Sequence, residues 1–251
     1  MMRVGKGLLG HPPPLRKEDA LFLDFDGTLV EFADDPTDVR VDPALRRAVE
    51  SAAARLAGAL ALISGRPIEQ IDRCFAPARL PVAGLHGLER RASDGTRFKA
   101  EPAPALRAAA TGLRATVQRE RGMFLEDKGA TLAIHFRAAP HQRQVARDMA
   151  EAMLARLGAG FRLLPGSDVI ELVPSAAGKD AAVRAFMRES PYAGRRPLFV
   201  GDDVTDLQGF EAARDLGGCG IAVGGRVSAD YRLADVAAVG RWLSGSRGTR
   251  Q

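Results

Sequence analysis

Short uninterrupted apolar runs alternate along this chain with stretches in which apolar residues recur every three or four positions. Residues 20–25 (ALFLDF) are the first such run. It ends in acid, as expected of a central parallel strand whose carboxyl end opens onto a site. Leu45, Ala48, Val49, Ala52 and Leu56 follow at helical spacing, and Pro43 sits where the first turn would begin. Residues 59–63 (ALALI) form a second buried strand, Ser64-Gly65-Arg66-Pro67 a turn, and the residues up to Phe75 a short helix. Strand, helix and strand in that order predict a parallel pair with a right-handed crossover. Residues 81–83 are a third strand.

Between about Glu101 and Pro174 the texture changes. The pattern predicts a helix over 105–121, strands over 123–127 and 130–137, a helix over 142–157, and strands over 161–164 and 168–173. Asp127-Lys128-Gly129 and Pro165-Gly166-Ser167 are turn signals between adjacent strands. Two helix–hairpin repeats of this kind build an antiparallel sheet with helices on one face. Strand–helix order then resumes with a helix over 179–190, a strand over 197–200, a helix over 205–216, a strand over 219–223 and a last short strand near 236–239. The fold class is α/β: one doubly wound parallel-sheet domain, residues 1–100 and 175–251, interrupted by a smaller α+β domain, residues 101–174.

The length of 251 residues suits one domain with a large insertion. At 46% hydrophobic and 27% charged, the composition is that of a globular protein. No apolar run approaches the ~20 residues that a membrane-spanning helix needs. Pro12, Pro13 and Pro14 interrupt the N-terminal stretch before a signal-like core develops. The expectation is a soluble, cytoplasmic protein that does not engage a membrane. Cys74 and Cys219 are too few and too far apart for a disulfide framework or a cysteine zinc site. The net charge of +5 raises the question of nucleic acid, but the basic residues are scattered and aromatic residues are few, so no nucleic-acid partner is expected. A small anionic substrate suits a basic surface equally well.

Asp24-Phe25-Asp26-Gly27-Thr28 follows the first strand directly. Side chains two apart on an extended chain point the same way, so Asp24 and Asp26 make a nucleophile and proton donor, a metal site, or a solvated acidic turn. Gly201-Asp202-Asp203-Val204-Thr205-Asp206 follows a later strand in the same way. In an open α/β sheet such ends gather at one edge, where ligands bind. Two negative charges ~4 Å apart repel by ~4 kcal/mol at an effective dielectric of about 20, so convergent acids call for a cation. An oxygen-only donor set favours Mg²⁺ over zinc. Ser64 ends another strand and Lys179 opens a helix; taken alone, Ser64 reads first as a helix cap and Lys179 as a solvated ammonium.

D-x-D-G-T, S-G-R, a lysine and G-D-D-x-T-D, in that order and each at a strand end or helix start, resemble the four motifs of the haloacid dehalogenase (HAD) superfamily of phosphotransferases. Gly84-Leu85-His86-Gly87-Leu88-Glu89, Glu126-Asp127-Lys128, His135-Phe136-Arg137 and Glu171 narrow the resemblance to trehalose-6-phosphate phosphatases. The resemblance implies that Asp24 is the nucleophile and Asp26 the acid and base. It implies Mg²⁺ on Asp24, on the Asp26 main-chain carbonyl and on Asp202, with Asp203 and Asp206 in the surrounding shell and Ser64 and Lys179 on the phosphoryl oxygens. The inserted domain would be a cap that closes over the core and recognises the sugar through Glu126, Lys128 and Glu171, with Arg137, His86 and Glu89 as further candidates. A sugar phosphate is then the substrate, and a trehalose-6-phosphate synthase a functional neighbour. Two alternatives remain at this level: a phosphatase for another sugar phosphate, such as that of sucrose or mannosylglycerate, and an inert sugar-phosphate-binding regulatory module.

Overall fold

A computed structural model describes residues 10–31, 39–166 and 168–245. Ser167, at the second predicted turn, lies outside them. The chain divides into two compact units, residues 1–97 with 179–251 and residues 98–178.

In the first unit β1 (Asp19–Leu23) is buried at every position. Helix α1 (Pro43–Arg55) starts with proline at its first turn, and Asp42 caps it by accepting from the Ala44 N–H. Strand β2 (Leu60–Ile63), helix α2 (Ile68–Phe75) and strand β3 (Val82–Gly84) follow as predicted. Two strands escape the sequence reading: β4 (Glu89–Arg91), antiparallel to β3, and, where the chain passes from the first unit to the second, β5 (Arg97–Lys99). Their arginine-rich sequences lack the apolar run or clean alternation that marks a strand, and pairing supplies what pattern does not.

The second unit runs α3 (Pro104–Val117), β6 (Phe124–Asp127), β7 (Leu132–His135), α4 (Arg143–Leu157), β8 (Phe161–Pro165) and β9 (Val169–Pro174). Its four strands pair antiparallel in the order β6-β7-β9-β8. Leu106, Leu113, Leu132, Ile134, Ala146, Ile170 and Leu172 form its own apolar core. Alternation along β7 and β9 sends Ile134 and Leu172 into that core and leaves Ala133 and Glu171 on the opposite face.

The chain then completes the first unit with α5 (Lys179–Phe186), β10 (Arg196–Gly201), α6 (Leu207–Asp215), β11 (Cys219–Val223), β12 (Tyr231–Leu233) and α7 (Val236–Leu243). The predicted last strand near 236–239 is wrong. Those residues begin α7, because Asp235 accepts from the Ala238 N–H as N-cap and Ala238, Val239, Trp242 and Leu243 bury one helical face. The strand lies earlier, at β12. Helix α5 also stops four residues short of its predicted end, in turns leading to Pro191.

The large sheet has the order β12-β11-β10-β1-β2-β3-β4-β5, parallel from β12 to β3. From β1 the chain builds outward to one side through β2 and β3, then returns to the other side of β1 with β10. The carboxyl ends of β1 and β10, in register at Leu23 and Val200, therefore flank the topological switch point.

Candidate active site

Asp24 and Asp202 each follow one of those two strand ends. The Asp24 N–H donates to the Val200 carbonyl at 2.9 Å, which pins the first acidic loop to β10. Gly27 makes the turn with φ +79°, and a methyl group there would sit 2.3 Å from Asp202 Oδ2. The glycine thus meets two demands, a left-handed backbone and a close approach. Thr28, fully buried, donates to Asp202 Oδ1 at 3.5 Å.

Carboxylate oxygens of Asp24, Asp202 and Asp206 lie within 4.8 Å of one another, all three buried. The Lys179 ammonium, in the first turn of α5, donates to Asp24 Oδ1 at 2.7 Å and to Asp206 Oδ1 at 2.5 Å. The other oxygen of Asp206 accepts from the Asp202 and Asp203 N–H groups, both at 3.0 Å. Asp206 and Asp203 also cap each other across the first turn after β10. Asp206 therefore fixes both the lysine and the loop that carries Asp202.

Three carboxylates against one ammonium leave a formal charge of −2 in a buried space. Burial raises Asp24 well above the ordinary carboxylate range, reinforced by Asp206 and Asp202 and opposed by Lys179. Asp202 is pushed up to about 7 by burial and by Asp206 and Asp203, against Lys179 and Arg226. Burial pulls Lys179 down, but Asp206 and Asp24 outweigh it and hold the ammonium charged. The carboxylates of the group offer only oxygen donors and outnumber the cations beside them, so the residues fit Mg²⁺.

Asp26 lies outside this group of three. Both its oxygens are forked by Arg66, at 2.7 and 2.8 Å, with Gln70 at 3.3 Å from the same guanidinium. Sequence reasoning treated Arg66 only as part of a motif and missed this pair. It also missed Arg226, whose guanidinium stands 3.5 Å from Asp202 Oδ2. Ser64 follows β2, the strand beside β1, and its Oγ accepts from the Arg66 N–H at 3.1 Å, leaving the hydroxyl proton free to be donated.

His86 and Glu89 lie just beyond β3. Leu85 and His86 adopt φ values of 50° and 55°, a left-handed conformation that costs about 1–2 kcal/mol for each non-glycine residue. Glu89 Oε1 accepts from the Ile68 N–H at the start of α2.

In the second unit Glu126, Lys128 and Glu171 do converge. Lys128 Nζ lies 3.0 Å from Glu171 Oε1 and 3.8 Å from Glu126 Oε2. Thr131, buried, donates to Glu171 Oε1 at 2.6 Å, and His135 Nε2 lies 2.9 Å from Glu126 Oε2. Burial favours a neutral Glu126, yet the His135 hydrogen bond and the Lys128 charge overcome it and hold the carboxyl below its usual range. The His135 partnership was legible in principle: a turn at 128–131 sets Glu126 opposite Ala133 and hence diagonal to His135. Arg137 pairs with Asp168 at 3.4 Å.

The architecture is that of the HAD superfamily. It superposes with a TM-score of 0.60, at 17% identity and over 96% of both chains, on a phosphatase of that superfamily from Bacteroides thetaiotaomicron. More narrowly, the chain belongs to the trehalose-phosphatase family, a family of phosphomonoester hydrolases, whose model matches residues 22–236. It is 40% identical over 217 residues to a probable trehalose-phosphate phosphatase of Sinorhizobium fredii, covering 86% of this chain and 82% of that one. It is 37% identical over 237 residues to the trehalose-6-phosphate phosphatase of Escherichia coli, covering 94% and 89%. Among the described residues no helix is long and apolar enough to cross a membrane.

Proposed function

We propose that this protein is a Mg²⁺-dependent phosphatase that hydrolyses trehalose 6-phosphate to trehalose and inorganic phosphate. The observation that carries the reading is the buried Asp24, Lys179, Asp206 and Asp202 group at the switch point of a trehalose-phosphatase family member.

A carboxylate oxygen of Asp24 attacks phosphorus, and the bond from phosphorus to the sugar oxygen breaks as Asp26 delivers a proton to that oxygen. An aspartyl-phosphate remains. Water then attacks phosphorus, Asp26 takes its proton, and the bond to Asp24 breaks, returning the free carboxylate and phosphate. Ser64 and Lys179 bind the transferring oxygens throughout, positioning and neutralising a loose transition state. Asp24, the Asp26 main-chain carbonyl and Asp202 would hold Mg²⁺, with Asp203 and Asp206 beyond them. The bound ion would add positive charge beside the phosphoryl oxygens.

Glu126, Lys128 and Glu171 offer carboxylate acceptors and an ammonium donor to sugar hydroxyls, so the second unit serves as the cap that selects the sugar. The enzyme then works in the cytoplasm in trehalose biosynthesis, after a trehalose-6-phosphate synthase. Phosphate release from trehalose 6-phosphate in Mg²⁺, measured against sucrose and glucose phosphates and abolished by a chelator, tests the reading. No release from the trehalose ester would end it.

A further inference from the structure

We propose that His86 and Glu89 are positioning residues that brace the turn at residues 64–66 in its phosphate-binding shape; the proposal rests on the reading of Ser64 as a phosphate ligand. The turn joins β2 to α2. The Ser64 carbonyl accepts from the His86 N–H at 3.0 Å and the Arg66 carbonyl from the Leu85 N–H at 3.1 Å. Consecutive N–H groups reach the one turn because Leu85 and His86 are both left-handed, a conformation that ordinary side chains keep only where the surroundings over-determine it.

Three further contacts do that. Glu89 Oε1 accepts from the Ile68 N–H at 2.5 Å, anchoring the chain two residues beyond Arg66. The His86 ring covers Gly65 so closely that a methyl group there would stand 2.8 Å from two ring atoms. A methyl group on Gly84 would stand 2.7 Å from Glu89 Oε1 and 2.8 Å from the Arg66 carbonyl. The turn is thus tied at Ser64, Gly65, Arg66 and Ile68, and its internal bond, from the Arg66 N–H to Ser64 Oγ, sets the direction of the hydroxyl. This turn sits at the strand edge where the acidic group lies, and displacing it moves a phosphate donor without touching the nucleophile.

The test compares Gly65→Ala, Glu89→Ala, Glu89→Gln and Ser64→Ala with the parent, reading inhibition by inorganic phosphate and amide hydrogen exchange over residues 64–68. Gly65→Ala and Glu89→Ala are expected to weaken phosphate inhibition about tenfold, raise KM more than they lower kcat, and speed exchange at the turn. Glu89→Gln, which keeps an acceptor in place, restores most of both. A folded Glu89→Ala protein with parental exchange and parental phosphate inhibition overturns the brace; it decides the matter if Gly65→Ala does not fold. If Ser64→Ala leaves phosphate inhibition intact, the phosphate role of Ser64 is lost, and exchange alone then judges the brace: faster supports it, unchanged overturns it.

Discussion

The ammonium of Lys179 lies 2.7 Å from Oδ1 of Asp24, though 155 residues separate them in the chain. Both groups are almost fully buried, at 4% and 7% side-chain exposure. Removing one member of a buried ion pair strands the other, at a cost of about 3–5 kcal/mol. Lys179→Ala is therefore expected to lower unfolding stability by about that much in metal-free buffer and to reduce turnover about 10²-fold or more. Denaturant titration with chelator present measures the first. Unchanged stability would show that the carboxylates do not depend on the lysine.

Asp24→Asn keeps the shape of the side chain and removes its nucleophilic charge. It should fold normally and lose at least about 10³-fold in turnover, with no phosphate trapped on the protein by acid quench. A fast Asp24→Asn variant is incompatible with covalent catalysis here.

Gly27→Ala places a methyl group 2.3 Å from Asp202 Oδ2 on a left-handed backbone. The backbone term alone is about 1–2 kcal/mol, and the clash displaces the Asp202 carboxylate as well. Loss of activity with a weakened thermal response to added Mg²⁺ is the expected pair of results. Wild-type Mg²⁺ dependence would contradict the placement of Asp202.

Glu171 is buried and accepts from Lys128 and Thr131. Glu171→Gln removes one charge from the Glu126, Lys128 and Glu171 cluster while leaving the acidic group of the core alone. KM for trehalose 6-phosphate should rise about ten- to a hundredfold, with little change for p-nitrophenyl phosphate. Equal effects on both substrates would remove Glu171 from sugar selection.

Acid stability should depend on Asp72. Buried Arg91 forks its two oxygens at 2.7 and 2.6 Å, and that hydrogen bonding, opposed by burial, holds the Asp72 carboxyl below its ordinary range. A folded-state value below the unfolded value of about 3.9 stabilises the protein above about pH 4, and the gain is lost as pH falls through the folded value. Asp72→Asn should be less stable than the parent at pH 6, and the gap should close toward pH 3. Urea midpoints at the two pH values that differ by the same amount would refute the assignment.

Long buried runs made β1, β2, β10 and β11 legible, and the acids just beyond β1 and β10 made the candidate site legible with them. The rest depended on partners that sequence does not display. Strands β4 and β5 carry too few apolar residues to show a period, and Val236 reads as strand until the Asp235 cap is known. The forks of Arg66 on Asp26 and Arg91 on Asp72 join residues whose proximity only the fold creates. Thr131 gave no warning of its place on Glu171, because a threonine after a turn is commonplace.

The pairing of β1 with β10 has a consequence for synthesis of the chain. While the polypeptide emerges from the ribosome, the wholly apolar segment at residues 20–23 waits with one unpaired edge until residues 196–201 appear. A nascent intermediate of this kind offers a sticky ribbon to other molecules, so chaperone demand during translation should exceed what the finished protein's stability suggests.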